Sequence, residues 1–214
     1  MSVKVGLRFI EKWGSNLENE IQKYEAEEAE KGQIVFYGPS NFTRWSTRFK
    51  HTPLREVLLG KSGKPCCINR GFGSSCSEQQ LYYYPRAVRT LEPKVLVYSV
   101  GIGNGTTFGY TPEELFELAQ RVVVYAKTDF PDLRIYLLGN NTWRGNNPKA
   151  ALFNEGLKEF AATIPDCKFF DPTEYTPLHR EDIYVEDKVH YNQKGYDLYA
   201  DYFKEVLKDE LAEF

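Results

Sequence analysis

The 214-residue chain has only four cysteines, three histidines and one methionine, and these scarcities exclude whole classes of protein. Cys66, Cys67, Cys76 and Cys167 show no repeated spacing, and with so few histidines they form neither a disulfide framework nor a metal-ligand pattern. Free thiols of a cytoplasmic protein are the expectation. A charge excess is missing too: 27 Lys and Arg stand against 30 Asp and Glu, a net charge of −3. Nothing in that balance draws the chain to a phosphate backbone, so nucleic acid is not an expected partner. No stretch reaches the roughly 20 apolar residues of a spanning helix, so no membrane association is expected. Met1 to Lys12 interleaves Lys4, Arg8 and Glu11 with apolar positions and lacks the apolar run and cleavage site of a secretory signal. There is no long Pro/Gly/Ser linker and no internal repeat, which predicts one domain over residues 1–214, with 1–32 as an N-terminal helical extension. Oligomeric state is not set by any of these features.

What is present is a core-forming composition, 42% hydrophobic and 15% aromatic. Leu17 to Lys31 carries acidic residues around Leu17, Ile21 and Tyr24 and reads as an amphipathic helix with a solvated acidic face. Ile34-Val35-Phe36-Tyr37 then runs into Gly38-Pro39-Ser40, the pattern of a buried strand breaking into a loop. Comparable runs follow at Cys66 to Asn69, Val95 to Val100, Arg134 to Leu138 and Lys168 to Phe170. Between them, Thr111-Pro112-Glu113-Glu114 forms a capping box ahead of Leu115, Leu118, Ala119, Val122, Val123 and Ala126 at helical spacing. Helices are also expected over Glu78 to Thr90, Pro148 to Ile164, and after Asn192. Five strands alternating with helices predict a three-layer α/β/α fold around a parallel sheet.

In such sheets the chemistry sits in loops at the carboxyl ends of the strands. These loops are Gly38 to Arg44, Asn69 to Ser77, Gly101 to Tyr110, Gly139 to Asn147 and Asp171 to His190. Ser40, just past the first strand, stands where a nucleophile would. A hydroxyl needs a base to take its proton, and the base needs a group that fixes its tautomer. Asp187-Lys188-Val189-His190 supplies both before the last helix. Taken singly, a serine there is usually a helix cap and an Asp-x-x-His arises by chance; their joint placement is the signal.

The blocks Gln33-Ile34-Val35-Phe36-Tyr37-Gly38-Pro39-Ser40-Asn41-Phe42-Thr43-Arg44-Trp45, Asn69-Arg70-Gly71-Phe72-Gly73-Ser74-Ser75, Val97-Tyr98-Ser99-Val100-Gly101-Ile102-Gly103-Asn104 and Asp187-Lys188-Val189-His190-Tyr191-Asn192-Gln193-Lys194-Gly195-Tyr196 resemble, in order, the four blocks of the SGNH (GDSL-type) hydrolases. The resemblance implies a flavodoxin-like five-stranded parallel sheet and a serine acylhydrolase working without metal or cofactor on a small-molecule ester, such as an acylated carbohydrate. It implies Ser40 as nucleophile, His190 as base and Asp187 as its orienting carboxylate. The oxyanion donors it implies are the backbone N–H of Ser40, a backbone N–H in the second block (Ser74 ahead of Gly73) and the side chain of Asn104.

Three positions depart from the family pattern: Pro39 before the serine, Ser74 in place of a glycine, and Gly101-Ile102-Gly103-Asn104-Gly105 in place of Gly-x-Asn-Asp. The third leaves the register around Asn104 open by one or two residues. It also keeps a second reading in play, a catalytically impaired ligand-binding or interaction protein on the same fold. Gly101 to Gly105 lacks the lysine and spacing of a phosphate-binding loop. Tyr82-Tyr83-Tyr84 reads as helix packing and surface, and His51 and His179 as non-catalytic. Trp45, Trp143 and Arg144 are placed by their loops either in the cleft or in the structure beneath it.

Overall fold

The computed structural model describes residues 10–144 and 147–214. The sequence reading of residues 1–9 therefore lies outside the described residues. Five short parallel strands, β1 (Ile34–Gly38), β2 (Cys67–Gly71), β3 (Val95–Ser99), β4 (Arg134–Leu138) and β5 (Cys167–Phe170), pair in the order β2-β1-β3-β4-β5. The helices are α1 (Ile10–Ala26), α2 (Ser40–Thr43), α3 (Leu54–Val57), α4 (Ser77–Ala87), α5 (Ile102–Thr107), α6 (Pro112–Asp129), α7 (Pro148–Ala161), α8 (Gln193–Val206) and α9 (Lys208–Leu211). Among the described residues no helix is long and apolar enough to cross a membrane.

Strand side chains alternate between two cores. Val35, Tyr37, Leu96, Tyr98, Ile135 and Leu137 point to the side covered by α1, α4, α6 and α7. Ile34, Phe36, Val95, Val97, Tyr136 and Leu138 point to the side covered by α3, α8 and α9. The central strands β1, β3 and β4 are buried on both faces, which is why they read as nearly unbroken apolar runs, whereas the edge strands β2 and β5 are only partly buried. The helix starts are written locally: Thr111 caps α6 by accepting from the Glu114 N–H, and Asn192 caps α8 by accepting from the Gly195 N–H.

Two readings are adjusted. The acidic run at the N-terminus is solvated as expected, with Glu25, Glu27, Glu28 and Glu30 exposed, but it also carries ion pairs to the body of the fold. Glu18 and Glu25 hold Arg86 of α4, Glu20 holds Arg48, and Glu27 lies 2.8 Å from the buried Arg70 of β2. Leu17 and Ile21 enter the core, and the helix ends at Ala26 rather than Lys31. At the same edge the Tyr24 hydroxyl donates to the Gly71 carbonyl, with the Arg70 guanidinium 4.7 Å from the Tyr24 ring centroid. Likewise, residues 101–110 are not all loop: Ile102–Thr107 is helical. Its glycines and threonines are weak helix formers, but Gly105 lets α5 lie so close to α6 that a Cβ there would fall 2.3 Å from Leu115. The four cysteines carry free thiols, three of them buried.

The strand order reverses between β1 and β3, so the chain leaves their carboxyl ends in opposite directions and a crevice opens there.

Candidate active site

Ser40 is delivered to that crevice by β1 and the Pro39 turn, as the first residue of α2. Two close approaches set its position. A Cβ on Gly38 would lie 2.7 Å from Ser99 Cβ, and one on Gly71 would lie 2.4 Å from the Thr43 nitrogen, so both glycines let α2 sit down on the sheet. Asn69 fastens the same turn, its amide donating to the carbonyls of Phe42 and Trp45 at 2.7 and 3.4 Å.

His190 reaches Ser40 from the far end of the chain. Its Nε2 lies 2.9 Å from Ser40 Oγ, and its Nδ1 lies 2.7 Å from Asp187 Oδ2. The other carboxylate oxygen of Asp187 accepts the backbone N–H groups of Val189 and His190, both at 2.9 Å. Lys188 makes this turn possible by adopting a left-handed backbone, φ 59°. Partial burial pushes the Asp187 carboxyl up, but the hydrogen bonds from the His190 backbone and ring and from the Val189 N–H together outweigh it, holding the group well below the usual carboxylate range. With Asp187 ionised, the Nδ1 proton is held and Nε2 faces the Ser40 hydroxyl as an acceptor.

The second-block segment lies alongside. A Cβ on Gly73 would stand 3.8 Å from Ser40 Cβ, and Ser74 has φ 66°, the left-handed conformation for which glycine is the usual residue. The backbone N–H groups of Ser40 and Ser74 donate to no protein acceptor among the described residues. Asn104 sits in the first turns of α5 on the cleft wall, where one of its amide hydrogens is given to the Ser75 carbonyl at 2.9 Å. That bond ties the second and third blocks together and leaves the other amide hydrogen unspoken for.

The cleft around Ser40 has a volume of about 360 Å³. Its lining includes Asn41, Asn104, Asn140 and Asn141, the aromatics Trp143, Tyr184 and Tyr191, and the cations Arg144 and Lys188, with no carboxylate among them. Trp143 and Arg144 thus line the cleft, whereas Trp45 is buried in the core against Tyr196, Tyr199 and Phe203. His179 stacks on Trp143 with ring centroids 5.5 Å apart, and His51 packs against Tyr196. Tyr83 and Tyr84 are buried while Tyr82 is half exposed. No group of three or more His, Cys, Asp or Glu residues able to hold a metal ion occurs among the described residues.

Sequence reasoning missed the asparagines under the cleft. Asn140 accepts from the Ile102 N–H and donates to the Val100 carbonyl, so it brackets Gly101 and fixes where α5 begins. The buried Asn154 in turn accepts from the Asn140 N–H and donates to its carbonyl. Only the clustering of asparagine after β4 marked this loop.

No family model matches the chain, and no curated protein matches it. Solved structures do. A candidate acylhydrolase from Bacteroides fragilis aligns with TM-score 0.70 at 22% identity, over 92% of this chain and 98% of its own. A GDSL-like lipase from Bacteroides thetaiotaomicron aligns with TM-score 0.66 at 17% identity, over 92% and 98%. An acetyl-xylooligosaccharide esterase from Geobacillus aligns with TM-score 0.62 at 13% identity, over 83% and 94%. Over most of its length, on a sheet ordered β2-β1-β3-β4-β5, the chain has the SGNH-hydrolase fold of these solved lipases and esterases.

Proposed function

We propose that the protein is a serine esterase of the SGNH type that removes a small acyl group from a carbohydrate or similar small-molecule ester. The observation that carries this reading is the unbroken hydrogen-bond chain Ser40–His190–Asp187 opening into a cleft. In the first half-reaction Ser40 Oγ attacks the ester carbonyl carbon while its proton passes to His190 Nε2. The negative charge that develops on the carbonyl oxygen falls to the N–H groups of Ser40 and Ser74 and the amide of Asn104. Each such donor lowers the barrier by about 3 kcal/mol. His190 then gives the proton to the departing alcohol, leaving an acyl group on Ser40. In the second half-reaction water follows the same route, and the acid leaves with Ser40 restored.

The cleft volume, near the small end of ligand sites, favours a short acyl group. The asparagines and the Trp143 and Tyr184 rings suit a polyhydroxylated alcohol portion, the class that the acetyl-xylooligosaccharide esterase of the same fold acts on. The test is a stopped-flow burst with p-nitrophenyl acetate followed by mass spectrometry of the trapped protein. One acetyl group per chain on Ser40 supports the reading; absence of turnover, or a label elsewhere, overturns it.

A further inference from the structure

The turn that carries Asp187 and His190 has a weak point, the left-handed Lys188. A side chain longer than glycine disfavours that conformation, so something must hold it. The residue that touches it comes from a different part of the fold. Arg144, in the loop after β4, donates from Nη1 to the Lys188 carbonyl at 2.5 Å and from Nη2 to Glu181 at 2.8 Å. Its guanidinium carbon stands over the Tyr184 ring, 3.8 Å from the centroid, and Tyr184 in turn accepts from Trp143 Nε1. The guanidinium is thus fixed on three sides, by an aromatic ring, a carboxylate and the carbonyl between Asp187 and His190.

We infer that Arg144 is a positioning residue for His190: by holding the Lys188 carbonyl it stabilises the left-handed turn that brings the imidazole under Ser40 Oγ and onto the Asp187 carboxylate. This rests on the esterase reading above. It gives the loop after β4 a second role besides lining the cleft, because Arg144 from that loop contacts the turn that carries the base. A lysine cannot substitute, since a single ammonium on a flexible stem does not span the Lys188 carbonyl and Glu181 while stacking on Tyr184.

The experiment is a double-mutant cycle between Arg144→Ala and Lys188→Gly, with kcat, KM and melting temperature measured for all four proteins on p-nitrophenyl acetate. Arg144→Ala is expected to lower kcat about tenfold or more, with KM changed less than about twofold. In the Lys188→Gly background, where the left-handed turn no longer needs support, the same substitution is expected to lower kcat less than about threefold. Arg144→Lys gives a second comparison that keeps the charge and most of the side-chain packing, and it is expected to lose kcat in the same way. A loss confined to KM makes Arg144 a substrate contact and overturns the inference. So does an equal kcat loss in both backgrounds, or full kcat in Arg144→Lys. Failure of the esterase reading is distinguishable, because it leaves the parent protein without a Ser40-dependent burst.

Discussion

Ser40 Oγ and His190 Nε2 lie 2.9 Å apart although 150 residues separate them in the chain. One stands at the carboxyl end of β1, the other just ahead of α8, and nothing local to either sequence segment draws them together. Ser40→Ala removes the hydroxyl and leaves α2 seated on the glycines beneath it. The expected outcome is an unchanged melting temperature with kcat for ester hydrolysis lowered roughly 10⁴-fold or more, as for a nucleophile that acts as one unit with its base. Retained turnover in the purified variant would remove Ser40 from the mechanism.

Asp187→Asn keeps an oxygen able to accept the Val189 and His190 N–H groups but takes away the charge beside Nδ1. The expected loss in kcat is about 10⁴-fold, because the wrong tautomer of His190 is then favoured. The sign of the pH effect follows from the native group. Its carboxyl is held well below the usual range by the bonds from His190 and Val189, so Asp187 stays ionised on mild acidification and the charge beside Nδ1 is kept there. Parent-like kcat in Asp187→Asn counts against the pairing.

Asn104 is expected to separate catalysis from stability. It lies in helix α5 and is not among the described residues with positive φ, so a turn-forming explanation for the asparagine does not apply. Asn104→Ala should lower kcat by about 10²- to 10³-fold at nearly constant KM. It also leaves the Ser75 carbonyl without its donor, a penalty of about 1 kcal/mol in stability. Asn104→Gly should lose as much activity and unfold at lower temperature than the alanine variant, since glycine weakens a helix. Normal kcat in either variant ends the oxyanion role.

Ser74 offers the opposite outcome. Its expected contribution is a backbone N–H, and its φ of 66° strains any residue with a Cβ. Ser74→Gly should therefore retain kcat and gain about 1 kcal/mol of stability, readable as a rise of several degrees in melting temperature. A large fall in kcat would show that the hydroxyl matters.

The clamp of α1 onto α4 should respond to acid. Arg86 hydrogen bonds hold both Glu18 and Glu25 below the ordinary carboxylate value. A depressed folded-state pKa stabilises above the unfolded value of about 4.3, and that contribution is lost as pH falls through the lower folded values. These groups are partly exposed, so the effect is about 1 kcal/mol or less and weakens with salt. Arg86→Leu should accordingly lower the melting temperature at pH 7 and low salt, with the difference from the parent narrowing below about pH 4. An unchanged difference at acid pH would place the origin in packing.

Much of this architecture is legible in the sequence, for local reasons. The five strands stand within one or two residues of their apolar runs because each is bounded by breakers, and the three central ones are buried on both faces. The start of α6 is written in Thr111, Pro112 and Glu114. Asp187 and His190 are readable because three residues of separation let one carboxylate oxygen take two backbone N–H groups while the other meets the ring. What escapes is held by distant partners. Helix α5 forms from Gly, Thr and Asn because Asn140 receives the Ile102 N–H and Leu115 packs on Gly105. Trp45 and Trp143 look alike as loop tryptophans; only the tertiary packing of α8 sends the first to the core and leaves the second in the cleft.

The seal that Tyr24, Glu27 and Arg70 form at the β2 edge has a consequence beyond holding α1. An uncovered edge strand is a template on which another chain can add its own backbone. Tyr24 takes the Gly71 carbonyl and Glu27 pairs with the buried Arg70, so a chain adding itself at this end of β2 would have to displace both. The acidic residues that give the N-terminal segment a hydrophilic appearance are part of what fastens it there.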